Sequence, residues 1–347
     1  MIILFLFLCI VLCQAQFVPN RFCDCLSVNT TRSIRGICAL TIVLHHLAQE
    51  IDTFSPFCIV FKPLGFLAVP IFFFYSGYGL MKSHQCKTDY AKTFLVKRIC
   101  SILVPYICMI LLYWLFETLM GEVYSPIQVL QSLYNGHPIV RDSWYVITIL
   151  VFYFAFYWLM RLFRQNYTGI VLGSVLFYIA WIFFARAMNY ESYWYNTAIC
   201  FCFGLWAAVY EFRLVDFLRR HYLSAWIVAF PLFMIFLFLA FFIRLSPVPQ
   251  LLVRYVCVVS FLVVVLLTSL KFCSNNKLLD FFSDISLELY LCHRLFIRLL
   301  RSQFLFVESE PLWILLVVLL SCVFAVVLHK LFRRMNGCIQ KMLLQAS

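Results

Sequence analysis

The sequence predicts an all-α integral membrane protein with about ten transmembrane helices in one bundle. The chain of 347 residues is 65% hydrophobic and 12% charged, and its mean hydropathy is +0.95. Soluble domains average about 25% charged residues, so in water this chain would expose apolar surface that a bilayer accepts. Two further observations support the prediction: apolar stretches recur along the chain, and its basic residues are distributed unevenly between them.

Apolar stretches of about 17–25 residues, the length that crosses a bilayer, occur throughout the chain. The predicted spans are residues 36–52, 57–81, 99–120, 143–162, 167–188, 196–212, 223–244, 249–270, 279–301 and 310–332. The connections between them are short, and no long polar segment is available for a soluble domain. We therefore expect a single membrane domain.

The basic residues predict the orientation of this domain. Nineteen of the 27 Lys and Arg residues lie in the tail or in the segments before the odd-numbered spans. The positive-inside rule places these segments, and both termini of the core, in the cytoplasm. A net charge of +12 could indicate nucleic-acid binding in a soluble protein, but here its placement fits membrane topology. We expect no nucleic-acid partner.

The chain divides into four predicted segments. Residues 1–16 form an apolar leader that lacks the basic start of a secretory signal, so it is either an extra short segment or the product of a misplaced start codon. Residues 17–34 form a polar cytoplasmic stretch, residues 35–333 the membrane domain, and residues 334–347 a cytoplasmic tail.

The sixteen cysteines do not predict a disulfide scaffold, because many lie inside apolar runs where Cys acts as a small hydrophobe. Cys23 and Cys25 form a C-x-C pair in a polar stretch, which is weak evidence for metal or redox chemistry because no partner ligands cluster nearby. We expect no metal site and no tightly bound cofactor.

The first span holds the densest set of ionisable residues, which are costly at bilayer depth and therefore functional candidates. Arg35 and His46 are eleven residues apart, so they share one helix face, with His46 about 16 Å further along. Glu50 lies on that face and could orient the imidazole, whereas His45 is about 100° away. We predict that Arg35 lies at the cytoplasmic boundary and His46 near mid-membrane; packing without chemistry is the alternative.

Two further groups of residues are candidates for structural or binding roles. Ser76 and Gly77 form a small spot in an aromatic run that continues to Tyr78, and small residues permit close helix approach. The most basic loop ends in Lys97 and Arg98, where cations at the cytoplasmic edge suit an anionic ligand or lipid headgroups.

The ninth and fourth spans add the remaining candidates. Tyr290 and His293 share one face of the ninth span with Ser286. Arginines 294, 298 and 301 line an adjacent face, and we expect them to lie at the membrane interface or to snorkel towards it. Trp144 opens the fourth span at the outer interface, where an aromatic belt would also explain it.

An ordered set of motifs resembles the acyltransferase 3 family of membrane O-acyltransferases. Arg35 and His46, separated by ten residues, resemble its opening helix, and Lys97-Arg98 followed by Pro105-Tyr106 is similar to its basic third-helix entry. The other matching phrases are Phe72-Phe73-Phe74-Tyr75-Ser76-Gly77-Tyr78, Ser143-Trp144-Tyr145 and Ile285 through His293. Family members often carry a second arginine where this chain has Ser101.

The resemblance implies acyl transfer from a cytoplasmic acyl-CoA, usually acetyl-CoA, to a hydroxyl of an extracytoplasmic or lipid-linked carbohydrate. On this basis Arg35, His46 and Glu50 are the catalytic candidates, and Lys97, Arg98 and Arg35 are candidates for the cofactor phosphates. The expected location is the plasma membrane, and the expected partners are acyl-CoA, a carbohydrate acceptor and lipid. The alternative is a multi-pass transporter of a carbohydrate or other polar metabolite, although no repeat is visible.

Overall fold

The computed structural model describes residues 2–52, 55–88 and 90–345, and the protein is about 80% helical with almost no strand. In chain order, the helices of the described residues are α1 (Ile2–Leu12), α2 (Val28–Gln49), α3 (Pro56–Cys86), α4 (Tyr90–Phe94), α5 (Cys100–Leu119), α6 (Pro126–Tyr134), α7 (Trp144–Phe163), α8 (Tyr167–Ala187), α9 (Ile199–Val209), α10 (Glu211–Arg220), α11 (Tyr222–Phe242), α12 (Pro247–Lys271), α13 (Lys277–Asp284), α14 (Ser286–Leu299) and α15 (Glu310–Gln345).

Short irregular elements complete this list. A π-helical turn, Leu95–Ile99, joins α4 to α5, and a 3₁₀ turn, Ser192–Trp194, precedes α9. Strands β1 (Ala15–Phe17) and β2 (Phe272–Ser274) form one antiparallel pair, with Gln16 opposite Cys273.

The all-α membrane fold is confirmed. Seven helices in the described part of the chain are long and apolar enough to span a membrane: α3, the continuous α4–α5, α7, α8, α11, α12 and α15. The segment Ser192–Val209 with α10 makes an eighth if this pair, bent by 90°, is one span. The other two predicted spans fall on α2, which is rich in polar residues, and on α13–α14, which is interrupted at Ile285.

The chain folds as two compact units. The first comprises Met1–Lys82 and Tyr195–Ser286, and the second comprises Ser83–Trp194 and Leu287–Ser347. Both units are discontinuous in sequence, so each is completed only by segments made late in synthesis.

Glycines of the first unit allow close backbone contact between helices. A Cβ on Gly36 of α2 would collide with the carbonyl oxygen of Leu279 in α13. Arg32 and Asp284 add an ion pair of 2.6 Å between the same two helices. In the same way, Gly77 of α3 faces the carbonyl of Phe201, and Gly204 of α9 faces the carbonyl of Phe74. The close approach predicted at Gly77 is therefore present, as a reciprocal contact between α3 and α9.

The N-terminal leader is bonded to the connection between α12 and α13. Beyond the β1–β2 pairing, Cys23 forms a disulfide with Cys273. The side chain of Asn276 donates to the carbonyls of Ile10 and Cys13 at 2.7 and 3.0 Å, and caps the start of α13. The C-x-C pair thus contributes one structural disulfide cysteine, while the Cys25 thiol is free and buried.

The second unit is packed largely through aromatic rings. On the face of α7 towards α8, Phe152 contacts the rings of Phe177, Tyr178 and Trp181. The indole of Trp181 donates to the carbonyl of Trp194 at 3.0 Å, which fixes the 3₁₀ turn against α8. The predicted tail from residue 334 continues α15 as far as Gln345, and residues 346 and 347 lie outside the described residues.

Candidate functional site

Arg35 and His46 lie on one uninterrupted helix, α2, whose start is capped by the Ser27 side chain accepting from the Thr30 amide. Because α2 is continuous from Val28 to Gln49, Arg35 and His46 share one face of the helix and are about 16 Å apart along its axis. Arg35 is partly buried and its Nε donates to the carbonyl of Thr31 at 3.3 Å. His46 is only 8% exposed, so its ring is buried.

The His46 ring is oriented by its own helix. Its Nδ1 lies 2.9 Å from Oε1 of Gln49, one turn further on, so Nδ1–H donates to the amide oxygen. In the neutral imidazole this leaves Nε2 without a proton and able to accept one. Glu50, the predicted orienting group, is exposed and follows the last residue of α2, with its amide bonded to the carbonyl of Leu47.

His45 is fixed differently, against α3. Its Nδ1 lies 3.2 Å from the carbonyl oxygen of Phe61, which can only accept, so this nitrogen carries the proton. A Cβ on Gly65 would collide with the His45 ring, and the ring centroids of the two histidines are 4.9 Å apart. The glycine therefore makes room for a histidine that holds α2 to α3, and His45 has a visible structural role.

Ser76 and Tyr78 belong to the same unit as Arg35 and His46. Both are partly buried on α3, on either side of the glycine that packs against α9. The Tyr78 hydroxyl hydrogen-bonds to Glu211, whose carboxylate also lies 2.8 Å from Lys82. These contacts give Tyr78 a partner at the start of α10.

Lys97 and Arg98 are exposed in the π-helical turn between α4 and α5, in the second unit. The Nε of Arg98 donates to the hydroxyl of Tyr90 at 3.3 Å. A π-helical turn is rare and often marks a functional position. The two cations are thus available to an anionic group at this turn.

Tyr290, His293 and Trp144 are also in the second unit, where the loop before α7 meets α14. The Tyr290 hydroxyl donates to the carbonyl of Asp142, and Arg294 pairs with the Asp142 carboxylate. Tyr290 also contacts the rings of Tyr145 and His293, and His293 is fully buried. Asp142 itself has a left-handed backbone with φ of 59°, a conformation that the surrounding contacts must maintain.

Two of the α14 arginines form ion pairs with carboxylates. Arg294 is paired with Asp142, and Arg298 is paired with Glu117, a carboxylate that is only 2% exposed. Arg301 instead lies over the Trp313 ring, 4.8 Å from its centroid. Sequence reasoning missed these pairs because the partners are 152 and 181 residues away along the chain.

The residues described in the structure contain no group of three or more side chains suited to a metal ion. The two groups of candidates, Arg35 with His46 on α2 and Tyr290 with His293 on α14, belong to different units.

Residues 32–330 match the family model of the acyltransferase 3 type, described as an acyltransferase domain. No curated protein and no solved structure gives a significant match.

Proposed function

Because the chain belongs to the acyltransferase 3 family of multi-pass membrane acyltransferases, we propose that it moves an acetyl group from cytoplasmic acetyl-CoA to a carbohydrate hydroxyl. The acceptor would be an extracytoplasmic or lipid-linked sugar, and the protein would act in the plasma membrane. The observation that carries the proposal is the buried His46 ring, held by Gln49 on the helix face that it shares with Arg35.

His46 would act as the general base, since a sugar hydroxyl is a poor nucleophile at neutral pH. Its unprotonated Nε2 takes the hydroxyl proton as the sugar oxygen attacks the thioester carbonyl. The C–S bond then breaks, the acetyl group remains on the sugar as an ester, and the proton passes from the imidazole to the CoA sulfur. Protons and charge balance, so the reaction needs no further co-reactant.

Cations would hold the donor. The CoA phosphates are anionic, and Lys97 and Arg98 are exposed cations that can make charge-assisted hydrogen bonds to them. Arg35 would be a further candidate cation for the donor, and the helix geometry of α2 separates it from His46 by about 16 Å. Glu50, at the end of α2, would raise the basicity of the His46 imidazole through its negative charge.

The test is replacement of His46 by alanine in a protein that still reaches the membrane and purifies as a folded species. We expect a loss of O-acetylation rate of about 10²- to 10⁴-fold, the usual contribution of a general base. The readout is mass spectrometry of surface glycans together with acetyl-CoA turnover by the purified protein. His45→Ala is the matched control, and its rate per folded molecule should change much less.

Undiminished acetylation by the His46→Ala variant would exclude the base assignment. Equal losses in the two variants would indicate that both histidines act through the packing of α2. If purified protein neither binds CoA nor turns over acetyl-CoA, while vesicles show flux of a polar metabolite, the acyl-transfer proposal itself fails.

A further inference from the structure

The second unit contains an apolar groove on its surface with a volume of about 750 Å³. Most of its lining comes from one face of α7, with additions from α5 and α8 that include Leu103 and Phe177. A volume of this size is within the range of about 300–1,000 Å³ that is common for small-molecule sites. The lining side chains are all apolar, so the groove suits a hydrocarbon chain.

The groove has the length and opening that a membrane lipid needs. Its lining on α7 runs from Leu150 to Leu162, which is about 18 Å of helix and more than half of a hydrocarbon core of about 30 Å. The side chains of Phe154, Trp158 and Leu162 are 52%, 55% and 73% exposed. The groove is therefore open along its side, and a chain could enter it from the surrounding bilayer.

Two arginines lie next to one end of this groove. Arg98 directly precedes the lining residue Ile99, and Arg161 directly precedes Leu162. Both are exposed, and within the described part of the chain neither is paired with a carboxylate. Basic positions between transmembrane helices on the cytoplasmic side bind anionic headgroups.

Tyrosine hydroxyls hold both guanidinium groups at one aromatic cluster. Arg98 donates to Tyr90 at 3.3 Å, and Arg161 donates to Tyr157 at 2.7 Å. Both tyrosine rings contact the buried ring of Phe94, with centroids 5.5 and 6.2 Å away. The cations are therefore oriented by neighbouring side chains.

We propose that this groove binds one anionic glycerophospholipid, with an acyl chain along α7 and the headgroup phosphate against Arg161 and Arg98. The apolar lining takes the chain, and the arginines without carboxylate partners neutralise the phosphate. This site shares Arg98 with the proposed acetyl-CoA contact, but its ligand comes from the bilayer and reacts with nothing, so Arg161 and the groove test it separately from the acyl transfer.

The test uses native mass spectrometry of the full-length protein in detergent, incubated with dioleoyl phosphatidylglycerol or with dioleoyl phosphatidylcholine. We expect one phosphatidylglycerol to be retained under activation that removes phosphatidylcholine. Arg161→Gln should weaken retention about fivefold, as expected for one basic residue at an anionic headgroup. Ala155→Phe should fill the groove and weaken retention about tenfold.

The matched control is Ala180→Phe, an exposed alanine on α8 that does not line the groove, and its retention should equal that of the wild type. Equal retention by Ala155→Phe and Ala180→Phe would overturn the site, as would equal retention of the two lipids. Competitive displacement of phosphatidylglycerol by oleoyl-CoA would reassign the groove to an acyl donor. Arg161→Gln leaves the groove unchanged, so it decides the question even if Ala155→Phe does not fold.

Discussion

The contact between α3 and α9 predicts that alanine substitutions at two glycines of α3 change the free energy of unfolding in opposite directions. An added Cβ at Gly77 meets the carbonyl of Phe201 and the amide nitrogen of Leu205, and all of these atoms belong to backbone. Backbone cannot rotate away as a flexible side chain can, so Gly77→Ala must push the helices apart. At Gly79, two residues further on, an added Cβ meets no atom within 4 Å.

The expected magnitudes follow from this difference. Overpacking costs about 1–3 kcal/mol, and the gain in helix propensity from glycine to alanine offsets about 1 kcal/mol of it. Gly77→Ala should therefore lower the free energy of unfolding by up to about 2 kcal/mol. Gly79→Ala has the propensity gain without the collision, so it should raise the free energy of unfolding by up to about 1 kcal/mol.

The assay is equilibrium unfolding of the purified protein in mixed detergent micelles, followed by tryptophan fluorescence. A Gly204→Ala variant tests the other half of the same contact, and the double variant Gly77→Ala with Gly204→Ala should be non-additive because both changes separate the same helices. A Gly77→Ala protein as stable as Gly79→Ala would refute the reasoning, since the two differ only in what the new methyl group meets.

Two further predictions concern the leader and α14. Cys23→Ser should make the Cys273 thiol reactive towards maleimide without reductant. Cys25 should react slowly, because burial raises its pKa to about 12 and keeps the thiol protonated. Identical labelling of the wild type with and without reductant would contradict the disulfide, whereas a disulfide present in cells would contradict the predicted cytoplasmic position of residues 17–34. Glu117→Gln should lower the free energy of unfolding by about 2 kcal/mol, because it leaves Arg298 without its buried carboxylate; wild-type stability of this variant in the same unfolding assay would show that the pair contributes nothing.

Most of the fold could be predicted because membrane insertion is encoded locally. An apolar stretch such as the one that becomes α11 has to form its hydrogen bonds within itself in lipid, so hydropathy and length decide its structure. The helix α2 was predicted by the same length signal, and the spacing of Arg35 and His46 then placed both residues on one face of it. Both signals use neighbouring residues only.

The pairings across the fold could not be predicted in the same way. Nothing near Arg298 or Cys23 in sequence indicates a partner more than 180 residues away. The orienting group of His46 lay within reach of sequence reasoning, since Gln49 is one turn away.

The disulfide of the N-terminal segment also sets an order of events during synthesis of the protein. Cys23 and Cys273 are 250 residues apart, and a ribosome adds about 5–20 residues per second. Cys273 is therefore synthesised roughly 10–50 s after Cys23. Helices α2 to α12 are all synthesised by then, so the N-terminal segment is made before them but can form its disulfide only after them.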